Sequence, residues 1–177
     1  YYENEWFHGF STTITLSHRN IFPVGASEFN YSLNNVDYTK PSLFTSELVL
    51  NTRFAFNESF FMGEFERVSL GTRYPIINLY LTSGLKDVLS SDFSYRKAEL
   101  SIEHWVNTYP IGYFKYLLEA GKIWGKLPYP LLKLHEGNET WSFDMYSFNM
   151  MNYYEFVSDQ WLSLYISHYF EGFFLNK

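Results

Sequence analysis

Glu99 and Glu103 are the first candidates for acid–base chemistry in this chain of 177 residues. They are four residues apart in a segment that alternates like a β-strand, so their carboxylates share one face at roughly 13 Å. This separation exceeds the spacing with which paired carboxylates hydrolyse glycosidic bonds. Lys97 and Lys115 are better companions for the two acids, and these four charges, with Glu119 on the neighbouring strand, predict a network of ion pairs.

Other residue types that support catalysis or metal binding do not occur at useful spacings. No two of the five histidines are two or four residues apart, the chain has no cysteine, and no serine lies in a G-x-S-x-G turn. No glycine-rich loop could hold a phosphate. The sequence therefore predicts neither an enzyme nor a cofactor or metal site. The histidines are His8, His18, His104, His135 and His168.

The composition favours alternating strands. Aromatic residues make up 22% of the chain, yet the mean hydropathy is slightly negative and no window approaches the roughly 20 apolar residues of a membrane helix. Strands with only one apolar side produce this combination. The net charge of −6, without a basic stripe, argues against nucleic acid as a partner.

A period of two recurs along most of the chain and predicts antiparallel strands. In residues 113–124, for example, Phe114, Tyr116 and Leu118 alternate with Lys115 and Glu119. Similar stripes occupy residues 9–20, 46–56, 94–106 and 160–172. Each stripe is about as long as a tilted membrane strand, which needs roughly 9–11 residues.

We therefore predict an all-β fold, an antiparallel transmembrane β-barrel. Residues 1–177 are expected to form a single barrel region with about nine or ten strands, a fragment of a larger barrel that is incomplete at both ends. Tight turns are expected at residues 73–75 and 109–112, and a long link at residues 125–140. Short turns at one end and long loops at the other are typical of outer-membrane barrels. The five charges named above would face the lumen.

A soluble β-sandwich or lipocalin-like barrel is the alternative fold, since its strands also alternate. Charged residues make up only 18% of the chain, which is few for a water-exposed face. The strands are also longer than the usual 5–6 residues. Both observations favour the membrane barrel.

The tryptophans lie near predicted strand ends, where indole rings mark a membrane interface. In a secreted glycan-binding sandwich the same rings would instead stack on sugars. We predict the interface role for Trp6, Trp105, Trp124, Trp141 and Trp161.

From residue 93 to residue 172 the order of features resembles the outer-membrane surface-antigen superfamily, which includes the barrel-assembly insertase and the two-partner-secretion transporters. In that family a strand, a proline turn and a second strand lead into a glycine–lysine–proline–aromatic run, here residues 124–129. The chain is most similar to a branch in Bacteroidota in which a carboxypeptidase-regulatory-like domain precedes the barrel.

The resemblance also predicts a loop that folds back into the lumen. The residues that match its Val-Arg-Gly-Phe signature region are Gly137, Asn138, Glu139, Thr140, Trp141, Ser142 and Phe143. Ser142 stands near the place of the signature arginine, so the resemblance implies packing by Trp141 and Phe143 instead. Glu171 matches the lumen acid that pairs with this arginine in the family. The missing arginine argues against insertase or secretion chemistry but leaves the barrel prediction intact.

The resemblance implies a bacterial outer-membrane protein that acts in outer-membrane biogenesis or as a subunit of an outer-membrane complex. Its expected partners are outer-membrane lipid, lipopolysaccharide, and other outer-membrane or periplasmic proteins. A passive pore or a companion barrel of a nutrient transporter is the second hypothesis, and the glycan-binding sandwich is the third.

Overall fold

The computed structural model describes residues 1–23, 28–33, 36–64, 67–138, 144–152 and 155–173, and its architecture is all-β. Seven antiparallel strands form the principal sheet. In spatial order they are β1 (Tyr2–Phe7), β2 (Phe10–Ile21), β5 (Leu43–Ala55), β8 (Ile76–Gly84), β9 (Tyr95–Asn107), β10 (Tyr113–Trp124) and β13 (Gln160–Tyr169).

Six shorter strands form three two-stranded sheets within the connections. These pairs are β3 (Phe29–Leu33) with β4 (Val36–Lys40), β6 (Ser59–Met62) with β7 (Arg67–Gly71), and β11 (Lys133–Leu134) with β12 (Val157–Ser158). Two single-turn 3-10 helices span Val88–Ser90 and Tyr129–Leu131. No helix in the described part of the chain is long and apolar enough to cross a membrane.

The alternation of the strands is in phase across the whole sheet. Leu118 of β10 pairs with Ile102 of β9 and with Leu164 of β13, whereas the next residue, Glu119, pairs with Ser101 and Ser163. Because successive side chains point to opposite sides, this register collects apolar and polar residues on separate faces. The predicted alternation on these strands is confirmed.

One face, here called the apolar face, consists of the even-numbered positions of β1, β2, β5, β9, β10 and β13 and the odd-numbered positions of β8. Many of its large side chains are exposed, including Leu16 at 72%, Leu162 at 75% and Ile166 at 63%. The opposite side is called the polar face. A soluble protein would bury the apolar face and expose the polar face.

The buried core lies on the polar face, near one end of the sheet. Leu43, Tyr95, Ile123 and Trp161 come from polar-face positions of four strands, and Phe93 joins them from the connection before β9. Half-buried leucines that follow β10 pack against this cluster. The loops at this end therefore build the core together with the side of the sheet that carries the charges.

Two sequence predictions about the strands need correction. The chain has seven principal strands and six short ones among the described residues, rather than nine or ten barrel strands. The predicted tight turn at residues 73–75 is instead the end of a longer connection that contains the β6–β7 hairpin. Three of the short strands, β3, β4 and β7, alternate as the principal strands do, so periodicity alone does not separate the two kinds of strand.

Candidate functional site: the polar face and its covering segment

Part of the chain between β10 and β13 returns across the polar face, and we call its described residues, 126–138, 144–152 and 155–158, the covering segment. It is tied to itself by β11 with β12 and by a bridge between Gly137 and Phe148. The Phe148 N–H donates to the Glu136 carbonyl at 2.9 Å, and the His135 N–H donates to the Phe156 carbonyl at 3.2 Å. These bonds give the segment a defined shape although it has little regular structure.

Lys133 is the main ionic link between the covering segment and the sheet. Its Nζ lies 3.0 Å from Glu99 Oε1 and 3.7 Å from Glu119 Oε2. Lys97 Nζ reaches the other oxygen of Glu99 at 2.7 Å. All four side chains are largely shielded from solvent, so these pairs are screened less than surface ion pairs.

Tyr146 makes a second contact between segment and sheet. Its hydroxyl donates to Glu103 Oε1 at 3.2 Å, and its ring meets Tyr165 of β13 edge to face at 6.2 Å. Phe148 lies 5.2 Å from the same Tyr165 ring. Aromatic packing and one hydrogen bond thus extend the attachment toward the other end of the strands.

Gly121 makes room for a tryptophan beneath the covering segment. A β-carbon at Gly121 would lie 2.1 Å from the Trp161 indole, whose side chain therefore crosses β10 at this point. Lys97 and Lys133 lie 5.5 Å and 5.4 Å from the Trp161 ring, within the range of cation–π attraction. The prediction that Trp161 marks a membrane interface is wrong, because the residue is buried on the polar face.

The other tryptophans divide between the two faces. Trp6 and Trp124 are exposed on the apolar face near opposite ends of the strands, as an interface role requires. Trp105 also lies near a strand end, but its register places it on the polar face, where Nε1 donates to the Thr72 carbonyl at 3.1 Å. For Trp105 the interface prediction needs correction. Trp141 lies outside the described residues.

The loop predicted from the resemblance is described in part. Gly137 packs tightly, since a β-carbon there would lie 2.0 Å from the Met151 carbonyl oxygen. Asn138 Nδ2 donates to Asn149 Oδ1 at 3.1 Å. The remaining residues of the predicted signature, Glu139, Thr140, Trp141, Ser142 and Phe143, lie outside the described residues.

The predicted lumen acid is not on a strand. Glu171 is exposed in a turn that follows β13, with a left-handed φ of 44°. The five predicted lumen charges, by contrast, all lie on the polar face. Two of them make no ion pair with a described residue: Glu103 accepts the hydrogen bond from Tyr146, and Lys115 Nζ lies 6.0 Å from the Tyr169 ring.

Two groups of polar-face residues escape the sequence analysis. Lys133 lies in a link whose irregular sequence has no periodicity from which its position could be predicted. The three predicted lumen acids outnumber the two predicted lumen lysines, and this difference indicates a further cation. Glu47, nearly buried, accepts a hydrogen bond from the Tyr95 hydroxyl and pairs with Arg19 Nη2 at 2.5 Å. Within the described residues no group of three acidic or histidine side chains could hold a metal ion. The ion pairs are suited to fastening the covering segment to the sheet.

Residues 5–177 match the C-terminal domain of a family of unknown function, DUF5686. The chain belongs to the DUF5686 family. The match covers the end of β1 and all of β2 to β13, and it includes the covering segment of this DUF5686 domain. No curated protein and no solved structure matches the chain.

Proposed function

We propose that the chain forms part of an antiparallel transmembrane β-barrel in the bacterial outer membrane, with the covering segment inside the lumen. One observation carries this proposal: the sheet exposes its apolar face and covers its polar face. Burying the apolar rows in lipid would recover the hydrophobic free energy that water contact denies them, at about 25 cal/mol per Å². In a barrel the polar face then lines the interior.

The soluble alternative fits the same observation less well. A β-sandwich packs a second sheet against the apolar face of the first. Within the described residues the additional sheets are the three short pairs in the connections, and Leu16, Leu162 and Ile166 stay exposed. A glycan-binding sandwich would therefore leave its largest apolar surface in water.

The covering segment also distinguishes a plugged barrel from a passive pore. Lys133 and Tyr146 fasten it to acids on β9 and β10 across the polar face. A lumen filled in this way is not an open channel. The contacts therefore support a barrel whose interior is occupied over a pore or an open companion barrel of a transporter.

We propose further that this barrel acts in outer-membrane biogenesis or as a subunit of an outer-membrane complex, in contact with lipid, lipopolysaccharide and other envelope proteins. The support is the surface-antigen-like order of strand, turn, strand and returning loop. β1 and β13 each have one neighbour in the sheet. Such edges can pair with a strand of another chain by β-augmentation.

Depletion of the parent protein tests this role. The abundance of every barrel protein in the outer-membrane fraction is measured before and after depletion. A broad fall in unrelated barrels, with their transcripts unchanged, is expected for a biogenesis factor. Loss of one complex alone would assign the protein to that complex, and an unchanged membrane would contradict both roles.

A further inference from the structure

Two cations interrupt the apolar face. Of all Lys, Arg, Asp and Glu residues in the seven principal strands, only Arg96 of β9 and Lys122 of β10 lie on that face. The other charged residues of these strands, such as Glu99 and Lys115, lie on the polar face. Charge is costly next to lipid, so two such exceptions need a local reason.

Both cations lie at the same end of the strands and next to each other. Arg96 pairs with Trp124, and Lys122 pairs with Ala98, so the two cations are diagonal neighbours about 7–8 Å apart. Lys122 Nζ lies 5.9 Å from the Trp124 ring. An exposed tryptophan beside two cations is the arrangement expected at the headgroup level of a membrane.

Neither cation has an acidic partner among the residues that the structure describes. Arg96 and Lys122 are exposed, and neither forms an ion pair with any residue in the described ranges. The acids of β9 and β10 lie on the opposite face of the sheet, where they bind Lys97, Lys133 and the Tyr146 hydroxyl. The pair is therefore available to an external anion.

An apolar groove adjoins the cations. It has a volume of about 620 Å³, and Arg96 and Trp124 contribute to its wall. Its leucines come from the neighbouring strands β5 and β8: Leu48 lies in the cross-strand row of Arg96, and Leu50 and Leu81 lie in the row of Lys122. Its shape and chemistry suit a ligand with a flexible hydrocarbon chain and an anionic head.

We propose that Arg96, Lys122 and this groove bind a phosphorylated glycolipid of the lipopolysaccharide class, with a phosphate at the two cations and an acyl chain in the groove. Guanidinium and ammonium groups together suit a phosphate, because arginine binds it through two parallel hydrogen bonds and lysine adds a point charge. The inference rests on the proposed membrane placement.

The two cations lie at the end of the sheet where a lipid of the outer leaflet would be expected. The connections from β2 to β5, from β8 to β9 and from β10 to β13 leave and rejoin the sheet at the end that carries Arg96 and Lys122. The other end has the turns at residues 8–9 and 108–112 and the connection from β5 to β8. The two longest connections, from β2 to β5 and from β10 to β13, thus belong to the end with the cations. Outer-membrane barrels place their longer loops outside the cell. The cations then lie in the outer leaflet, at the level of lipid phosphates.

Native mass spectrometry of the full chain in detergent micelles tests the proposal with lipid A and with lipid A stripped of its phosphates. Wild-type protein is expected to retain the phosphorylated lipid and to release the stripped one. In R96Q/K122Q the affinity for lipid A is expected to fall about thirtyfold, because each cation contributes about 1 kcal/mol to the binding free energy. The matched control R73Q/K86Q removes one Arg and one Lys from exposed connections and should bind like the wild type.

Equal retention of the two lipids by the wild-type protein, a measurement that needs no variant, would overturn the site. So would equal affinities of R96Q/K122Q and R73Q/K86Q, or full displacement of lipid A by inorganic phosphate, which has no chain for the groove. A wild-type protein that stays monodisperse without detergent would instead overturn the membrane placement, and the site with it. The two failures are thus distinguishable.

Discussion

At the scale of single residues, Gly121 is required because the Trp161 indole occupies the space of a β-carbon. We expect Gly121→Val to lower the free energy of unfolding by about 1–3 kcal/mol, the usual cost of overpacking. Ala120→Val, the neighbouring position on the apolar face, should change it little. Denaturant titration in micelles, followed by tryptophan fluorescence, measures both variants. Equal free energies would show that Trp161 does not need the glycine.

Glu58 gives a pH dependence at the turn after β5. The Arg53 guanidinium donates to both of its oxygens at 2.7 Å, and Ser69 of β7 also donates to it. Arg53 holds the pKa of the Glu58 carboxyl below its ordinary value of 4.5, against the opposing effect of burial. A depressed pKa in the folded state means that Glu58 stabilises the fold above pH 4.5 and stops doing so as the pH falls through the folded-state pKa.

We expect Glu58→Gln to lower the free energy of unfolding by about 1–3 kcal/mol at pH 7. The difference should be much smaller at low pH, because Glu58 of the wild type is then protonated and has already lost its ion pair with Arg53. Thermal unfolding at a series of pH values compares the variant with the wild type. Glu155→Gln, an exposed acid outside this pair, is the control. A loss of the same size at every pH would show that the Arg53 ion pair is not its source.

At the scale of elements, the covering segment depends on Lys133. In Lys133→Met, Glu99 keeps Lys97 but Glu119 loses its cation, so we expect the local opening free energy of the segment to fall by about 1–3 kcal/mol. Amide hydrogen exchange in β11 and β12 measures this opening. Lys86→Met, in an exposed connection at the same end, should leave the exchange rates unchanged.

A double variant separates the ion pairs from the shape of the lysine. Lys133→Met with Glu119→Gln removes the acid that the first change leaves alone, and part of the lost protection should return. Exchange rates that are the same in wild type, single variant and double variant would show that the segment is held without Lys133.

The sequence predicts the long strands and their faces well, for a physical reason. In strands such as β10 and β13 one side is apolar and the other side is polar and covered, and so their side chains alternate over most of their length. The β6–β7 hairpin is missed because local alternation does not reveal whether a strand joins the principal sheet. Pairing is a long-range property, and the short residue pattern before Pro75 resembles a turn.

The polar site is less predictable. The face on which the charges of β9 and β10 lie can be predicted from the alternation of side chains along a strand. The positions of Lys133 and Tyr146 depend instead on the path of an irregular segment. Trp161 is misplaced because residue type suggests an interface, while its register opposite Gly121 decides its burial. This contact joins β10 and β13, and their pairing cannot be predicted from either strand's own sequence.

At the scale of the whole molecule, the two faces should respond differently to charge. Leu118 lies in a row between Ile102 and Leu164. An arginine there should cost about 2–4 kcal/mol near the middle of a membrane. We expect Leu118→Arg to block insertion into liposomes and Glu119→Gln, on the polar face, to insert normally. Equal insertion of the two variants would contradict the assignment of faces.

The orientation of the sheet toward lipid is the central claim, and single-cysteine labelling tests it most directly. The chain has no cysteine, so Leu100→Cys and Ser101→Cys on β9, an interior strand of the sheet, each carry one environment-sensitive fluorophore. In liposomes, quenchers on the acyl chains should quench the label at residue 100 and spare the one at residue 101. Quenching of residue 100 only by a water-soluble quencher would contradict the membrane barrel.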